Sequence, residues 1–206
     1  MEKTDFKKTM KALYLPSDKR FEIVDVPDMA FVMVDGHGNP NVAADYQTGL
    51  SWLYTLSYTL KFGSKAELGR DYTVPPLEGL WWADDMSAFV SGRKQGWKWT
   101  QMMMVPDWIT PAMFEAAKQK AGAKLGAPPG SLRLERYHEG LSVQIMHVGP
   151  YEAEAPTILR LHTEFMPANG LTENGFHHEI YISDPRRVPP AKLKTVLRQP
   201  VKRIAP

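Results

Sequence analysis

Apolar positions fall into short runs along the chain, and glycine and proline signals separate one run from the next. Ala30 to Asp35 (Ala-Phe-Val-Met-Val-Asp) reads as a β-strand, and Gly36-His37-Gly38-Asn39-Pro40 turns the chain after it. Leu50, Leu53, Ser57 and Leu60 then recur at helical spacing. They predict a helix capped by Asn41 or Asp45, running to about Phe62 and stopped by Gly63. Tyr72 to Ala83 is a strand pattern with Pro75-Pro76 confined to its start. A polar connection, Asp84 to Lys94, leads to a second strand, Trp97 to Pro106, expected to pair antiparallel with the first. Thr110-Pro111 opens a helix whose stripe is Met113, Phe114, Ala117, Ala121 and Leu125. Beyond the stop at Gly126 to Gly130, Leu132 to Tyr137 and Leu141 to Val148 read as a hairpin across His138-Glu139-Gly140. A helix from about Glu152 to Pro167 follows, then strands at Asn174 to Ser183 and Leu193 to Val201 joined by the loop Asp184 to Pro190.

The order strand-helix-strand-strand therefore occurs twice, which points to an internal duplication. Phe31 to Gly36 is answered by Gln144 to Gly149, similar helices follow each, and Glu78 and Glu179 stand in similar places on the next strand. The expected fold is α+β: two tandem β-α-β-β repeats related by a pseudo-twofold axis, with antiparallel sheets, helices on one face and a central ligand groove. The first repeat spans about 21–108, a connector helix about 110–125 and the second repeat about 131–203. Residues 1–20 are polar and basic and read as a loosely docked lead-in to a domain over 21–206.

Composition narrows the function. Of 206 residues, 25 are basic and 23 acidic, and this balance argues against a general nucleic-acid binder. With no cysteine there is neither a disulfide framework nor a thiolate metal site. The charged N-terminus lacks a signal-peptide core, and no run approaches the roughly 18 apolar residues of a membrane helix. A cytoplasmic protein is expected. The sequence leaves the oligomeric state open, a monomer included. Five of the six tryptophans lie between Trp81 and Trp108, among eleven methionines, a mixture that suits a cavity and equally an ordinary core.

Strand alternation sorts the candidate chemistry. His177, Glu179, Tyr181 and Ser183 share one face; His178, Ile180 and Ile182 share the other, and the isoleucines mark the expected helix-packed side. Glu78, Leu80 and Trp82 form another row, as do Trp97, Trp99, Gln101 and Met103. Across a pseudo-twofold axis Glu78 and Glu179 face one another in a groove walled by Trp82, Trp97 or Trp99, and Tyr181. Such a cage attracts planar or cationic ligands through charge pairing and cation–π contacts of about 0.5–2 kcal/mol. Facing, buried carboxylates raise each other's pKa, so one stays protonated near neutral pH and serves as a general acid. A strand glutamate is more often solvated, however, and a Trp-Trp pair more often core, so the pattern by itself leaves both readings open. His177 and His178 point to opposite faces and do not chelate one ion, and His37, His138, His147 and His162 show no ligand spacing. No phosphate loop, dinucleotide fingerprint or nucleophile elbow occurs, so neither metal nor cofactor is expected.

Pro76-Leu77-Glu78-Gly79-Leu80-Trp81-Trp82, Trp97-Lys98-Trp99-Thr100, His177-His178-Glu179-Ile180-Tyr181-Ile182-Ser183-Asp184-Pro185-Arg186-Arg187 and the ending Leu193 to Val201 resemble the GyrI-like small-molecule-binding family. The resemblance runs from about Phe21 onward. It implies paired modules around a groove, and in multidrug-sensing regulators of this kind a buried glutamate, here matched by Glu179, contacts cationic drugs. The Leu-Glu-Gly-Leu-Trp-Trp signature is similar to a standalone subgroup, the cyclopropanoid cyclopropyl hydrolases, which open the strained ring of DNA-alkylating products such as yatakemycin. On that resemblance Glu179 and Tyr181 are the catalytic candidates. Glu78, Leu80, Trp82, Trp97, Trp99, Met103 and His177 are the substrate-binding candidates. The expected partner is a small planar aromatic or cationic molecule, with no nucleic acid, membrane or metal. The other readings are drug sequestration without turnover and a gyrase-inhibitor-like interaction protein.

Overall fold

The computed structural model describes residues 3–84 and 94–204; of the expected polar connection Asp84 to Lys94, all but the two end residues lie outside the described residues. Along the chain come β1 (Lys3–Thr4), α1 (Phe6–Thr9), α2 (Lys11–Tyr14), β2 (Glu22–His37), α3 (Ala44–Leu68), β3 (Asp71–Tyr72), β4 (Leu77–Ala83) and β5 (Trp97–Val105). Then follow α4 (Pro111–Leu125), β6 (Arg133–Val148), α5 (Ala155–Arg160), a π-helical turn (Leu161–Phe165), α6 (Met166–Ala168), β7 (Leu171–Glu173), β8 (His177–Tyr181) and β9 (Lys194–Arg203). The architecture is α+β, with antiparallel strands and helices, and the chain forms two compact units. One comprises Met1–Thr9 with Met29–Tyr137; the other comprises Met10–Asp28 with His138–Pro206. Each contains the strand-helix-strand-strand order, supplemented by a short strand.

In the first unit β5 pairs antiparallel with both β2 and β4. The register sets Val32 and Leu77 beside Met103, Val34 and Gly79 beside Gln101, and Gly36 and Trp81 beside Trp99. Residues directly opposite one another share a face. This row is the helix-bearing face: Leu53, Leu56 and Leu60 of α3 and Phe114 and Ala117 of α4 join Val32, Val34 and Met103 in one core. The Ser57 hydroxyl on α3 reaches the Met103 sulfur at 3.6 Å. On the opposite face stand Glu78 beside Met102, Leu80 beside Thr100 and Trp82 beside Lys98.

Local sequence accounts for some boundaries and tertiary contacts for others. The Thr110 side chain accepts the Met113 N–H at 3.2 Å with Pro111 in the first turn, as expected. α3 does not stop at Gly63; it continues to Leu68 and ends at Gly69, whose φ of 64° suits glycine. An interior glycine costs about 1 kcal/mol. Downstream contacts of α3 offset that cost: buried Ser64 receives the Trp108 indole N–H at 2.9 Å and donates to the Arg70 carbonyl at 2.8 Å. Neither Asn41 nor Asp45 caps α3; its N-cap is Ala43. Within the expected lead-in, residues 3–6 are docked rather than loose. β1 pairs with β3, and Phe6 packs on Tyr72 and Trp108.

Gly36 is where this unit is tightest. A Cβ there lies 2.1 Å from the Trp99 ring, a contact that side chains cannot sustain. Gly36→Ala is expected to destabilise the protein by about 1–3 kcal/mol. A urea midpoint equal to that of the native protein would show that the indole does not lie against this backbone.

In the second unit β9 pairs antiparallel with β6, β7 and β8. Gln144, Arg198 and His178 line up on one face, with Met146, Val196 and Ile180. Ile145, Leu197 and Glu179 line up on the other, with His147, Thr195 and Tyr181. Leu161 and Met166 of the α5–α6 segment pack with Val143 and Val201. Val143 and Val201 lie on the Glu179 face by alternation, so the helices cover that face. The expected hairpin at His138-Glu139-Gly140 does not form: β6 is one continuous strand. Gly140 takes a positive φ of 68° without reversing the chain, and the Glu139 carboxylate is held in a buried ion cluster.

Candidate functional site

β8 has only five residues, and its alternation puts His177, Glu179 and Tyr181 on one face. The Tyr181 hydroxyl donates to the Glu179 carboxylate at 2.8 Å, and His177 Nε2 lies 3.5 Å from the other carboxylate oxygen. Tyr151, in the one-turn 3₁₀ helix before α5, meets Tyr181 edge-on with ring centres 5.7 Å apart. The next element supplies a second carboxyl. Glu154, immediately before α5, is 4% exposed. Burial, then the negative charge of Glu179, push its pKa up to about 9; the Thr195 hydroxyl works against the shift and Glu152 adds to it. At neutral pH Glu154 thus holds its proton beside Glu179. One carboxyl that can give a proton and one carboxylate that can take one thus interact within this unit, which is what acid–base chemistry requires.

This arrangement corrects the sequence reading on several points. Glu179 and Tyr181 point toward the helices of their unit; Ile180 is on the opposite face. Glu78 does the reverse, standing on the face of its own sheet away from α3 and α4. The two glutamates are therefore not equivalent positions, because an offset of one residue inverts the face of a strand side chain. Nor does Glu78 share a face with Trp97, Trp99 or Met103. Met103 and Trp99 are enclosed on the helix side, whereas Leu80 and Trp82 lie with Glu78. Trp97 and Trp81 meet edge-on at 5.7 Å, Tyr46 stacks on Trp81 at 6.2 Å and meets Trp99 at 5.0 Å, all on the helix-bearing face. The Lys94 ammonium lies 5.4 Å from the centre of the Trp97 ring, the placement a cation takes over an indole.

His178, back to back with His177, belongs to a structural cluster. Its Nδ1 is 2.9 Å from Glu139, and Arg198 donates to the second Glu139 oxygen at 3.0 Å and to Gln144 at 3.0 Å. Arg198 also donates to the Leu13 carbonyl at 2.6 Å, and Gln144 to the Ala12 carbonyl at 2.6 Å, which ties α2 to this sheet. Burial alone pushes the Glu139 carboxyl up, but the charges and hydrogen bonds of His178 and Arg198 hold it at about 2. Among the described residues no group of three metal-ligating side chains occurs. Sequence reasoning missed Glu154 and Glu139. An acidic residue at a helix start reads as a dipole partner, and Glu139 sits in what looks like a turn.

A model of the GyrI-like small-molecule-binding domain matches residues 19–202. No curated protein matches the chain. Among solved structures, an uncharacterised conserved protein from Listeria innocua is 40% identical, covering 97% of this chain and 100% of that one, with a TM-score of 0.87. A protein described as a hydrolase, also from Listeria innocua, is 39% identical over 97% of this chain and 100% of that one, with a TM-score of 0.83. The EcmrR C-terminal domain, at 13% identity, a TM-score of 0.58 and coverage of 90% and 98%, shares the fold. No helix among the described residues is long and apolar enough to cross a membrane.

Proposed function

Because the chain belongs to the GyrI-like small-molecule-binding family, we propose that it binds a flat, electrophilic aromatic molecule and hydrolyses it, the substrate being a cyclopropane conjugated to a dienone. The observation that carries this reading is the Tyr181 hydroxyl held 2.8 Å from the Glu179 carboxylate, in the unit where the buried carboxyl of Glu154 leads into α5. A relative described as a hydrolase, matched over 97% of this chain, supports it. Glu179, oriented by the Tyr181 hydroxyl, takes a proton from water as the water oxygen bonds to the cyclopropane methylene. The strained carbon–carbon bond breaks, its electron pair moves through the ring to the carbonyl oxygen, and Glu154 gives that oxygen a proton to make a phenol. Tyr151 offers an aromatic face next to Tyr181.

The test is turnover. With a spirocyclopropyl cyclohexadienone in large excess, many equivalents of phenolic alcohol per protein are expected, followed by the loss of dienone absorbance. Consumption that stops at one equivalent or less would leave a binding protein that sequesters such molecules, and the hydrolase reading would be wrong.

A further inference from the structure

α3 and α4 lie side by side in the first unit, and their outer surface carries large apolar side chains open to solvent. Phe62 is 59% exposed and Tyr58 48%, with ring centres 6.4 Å apart, and Tyr54 stands one turn further along the same row. Beside the row runs a groove lined by Thr59, Gly63 and Glu67 of α3 and by Met113, Ala116 and Lys120 of α4. A contiguous apolar surface with a polar rim marks an interaction site. We propose that this face joins two copies of the chain in a two-fold symmetric dimer.

The charges select a second copy as the occupant. The two helices run antiparallel: Trp108, just ahead of α4, bonds Ser64 near the end of α3, whereas a Cβ at Gly122, late in α4, lies 3.7 Å from Trp52, early in α3. Glu67 therefore stands at one end of the groove and Lys120 toward the other. Among the described residues neither forms an ion pair, whereas Lys65 and Lys118 nearby do, with Asp71 and Glu115. A groove negative at one end and positive at the other complements itself after a half-turn. A two-fold axis in the plane of the contact, running across the helices, lays each α3 antiparallel on its counterpart. Glu67 of each copy then meets the partner's Lys120, and the two Phe62 rings come together near the axis.

Size and backbone agree with this occupant. At 1.5 Å per residue and about 10 Å across, the 25 residues of α3 and 15 of α4 present about 600 Å² per copy. That is the lower end of what a specific protein interface buries. Gly63 supplies the close approach. A Cβ there meets only Glu67 Oε1 among the described residues, at 3.8 Å, an ordinary contact, so the first unit itself has no need of glycine in the middle of α3. Glycine weakens a helix interior, and what it gives in return is room for a second helix against its backbone. The Thr59 hydroxyl donates to the Thr55 carbonyl at 2.7 Å, so this helix already satisfies the polar group beside the groove.

The experiment is sedimentation equilibrium of the full chain over a series of concentrations, with melting temperature read in parallel. The native protein is expected to approach twice the chain mass in the micromolar range. Glu67→Lys and Lys120→Glu are each expected to raise the dimer dissociation constant about tenfold or more, because each sets like charges against one another at two symmetric points. The double variant is expected to recover the native value. Phe62→Ser is expected to weaken the dimer about tenfold with the melting temperature of the monomer unchanged. Gly63→Ala is expected to raise that melting temperature and yet weaken the dimer, a pair of opposite effects that a glycine serving the monomer alone would not give. A native protein that stays monomeric throughout, or a dimer indifferent to Phe62→Ser and to both charge reversals, would overturn the proposal. Failure of the double variant to recover would show that Glu67 and Lys120 do not meet across the axis, and the two-fold arrangement would be wrong.

Discussion

Replacing Glu179 with glutamine is expected to lower turnover by about 10²–10⁴-fold, the usual contribution of a positioned acid or base. Fold and affinity for a flat ligand should survive. The amide is nearly isosteric, and its carbonyl still accepts the Tyr181 hydroxyl that sits 2.8 Å away in the native protein. What is lost is the basic oxygen that takes the proton from water. A second effect comes through Glu154, whose pKa of about 9 depends in part on the Glu179 charge. Without that charge Glu154 gives up its proton at lower pH, so any residual activity should fade at a lower alkaline limit. Single-turnover rates across pH, alongside ligand binding by tryptophan quenching, separate these effects. A native rate in Glu179→Gln would show that this carboxylate does not react.

Breaking the buried cluster should give the largest loss of stability. Arg198→Met leaves the Glu139 carboxylate buried with His178 as its charged partner among the described residues, and also strands the Gln144 amide oxygen and the Leu13 carbonyl. Removing one member of a buried ion pair costs about 3–5 kcal/mol. Glu139→Gln in the same chain removes the stranded charge, so the double variant is expected to recover part of that loss. The cluster also sets an acid limit. Glu139 titrates at about 2 in the folded protein against 4.5 as its ordinary value. Below 4.5 the unfolded chain takes up a proton that the folded chain does not, so stability falls as pH drops from about 4.5 to about 2. Urea denaturation at a series of pH values reads both effects. A native-like midpoint in Arg198→Met, or no acid loss over that interval, would mean the cluster is not the clamp described.

Elements whose periodicity agreed with their packing were legible in the sequence. The strand Trp97–Val105 and the helix opened by Thr110-Pro111 carry their own signals and occur where expected. What escaped depended on distant partners. α3 passes Gly63 because Ser64 bonds Trp108, 44 residues away. β6 stays unbroken at Glu139, a residue held by partners 39 and 59 positions along the chain. The candidate site was half legible. Glu179 and Tyr181 are neighbours by alternation, and their hydrogen bond follows from it. Which face they look toward was decided by helix packing, which reversed the assignment from the isoleucines. Glu154, at the start of α5, was not legible as a second carboxyl, because its nearness to Glu179 comes from the chain folding over the sheet of its own unit.

The shared proton can be read directly by carbon NMR of the protein labelled at its glutamate side-chain carboxyl carbons. The Glu154 signal is expected to titrate near pH 9 in the native protein and lower in Glu179→Gln. A Glu154 carboxyl that titrates near the ordinary 4.5, and is unmoved by the loss of the Glu179 charge, would contradict the acid–base pair.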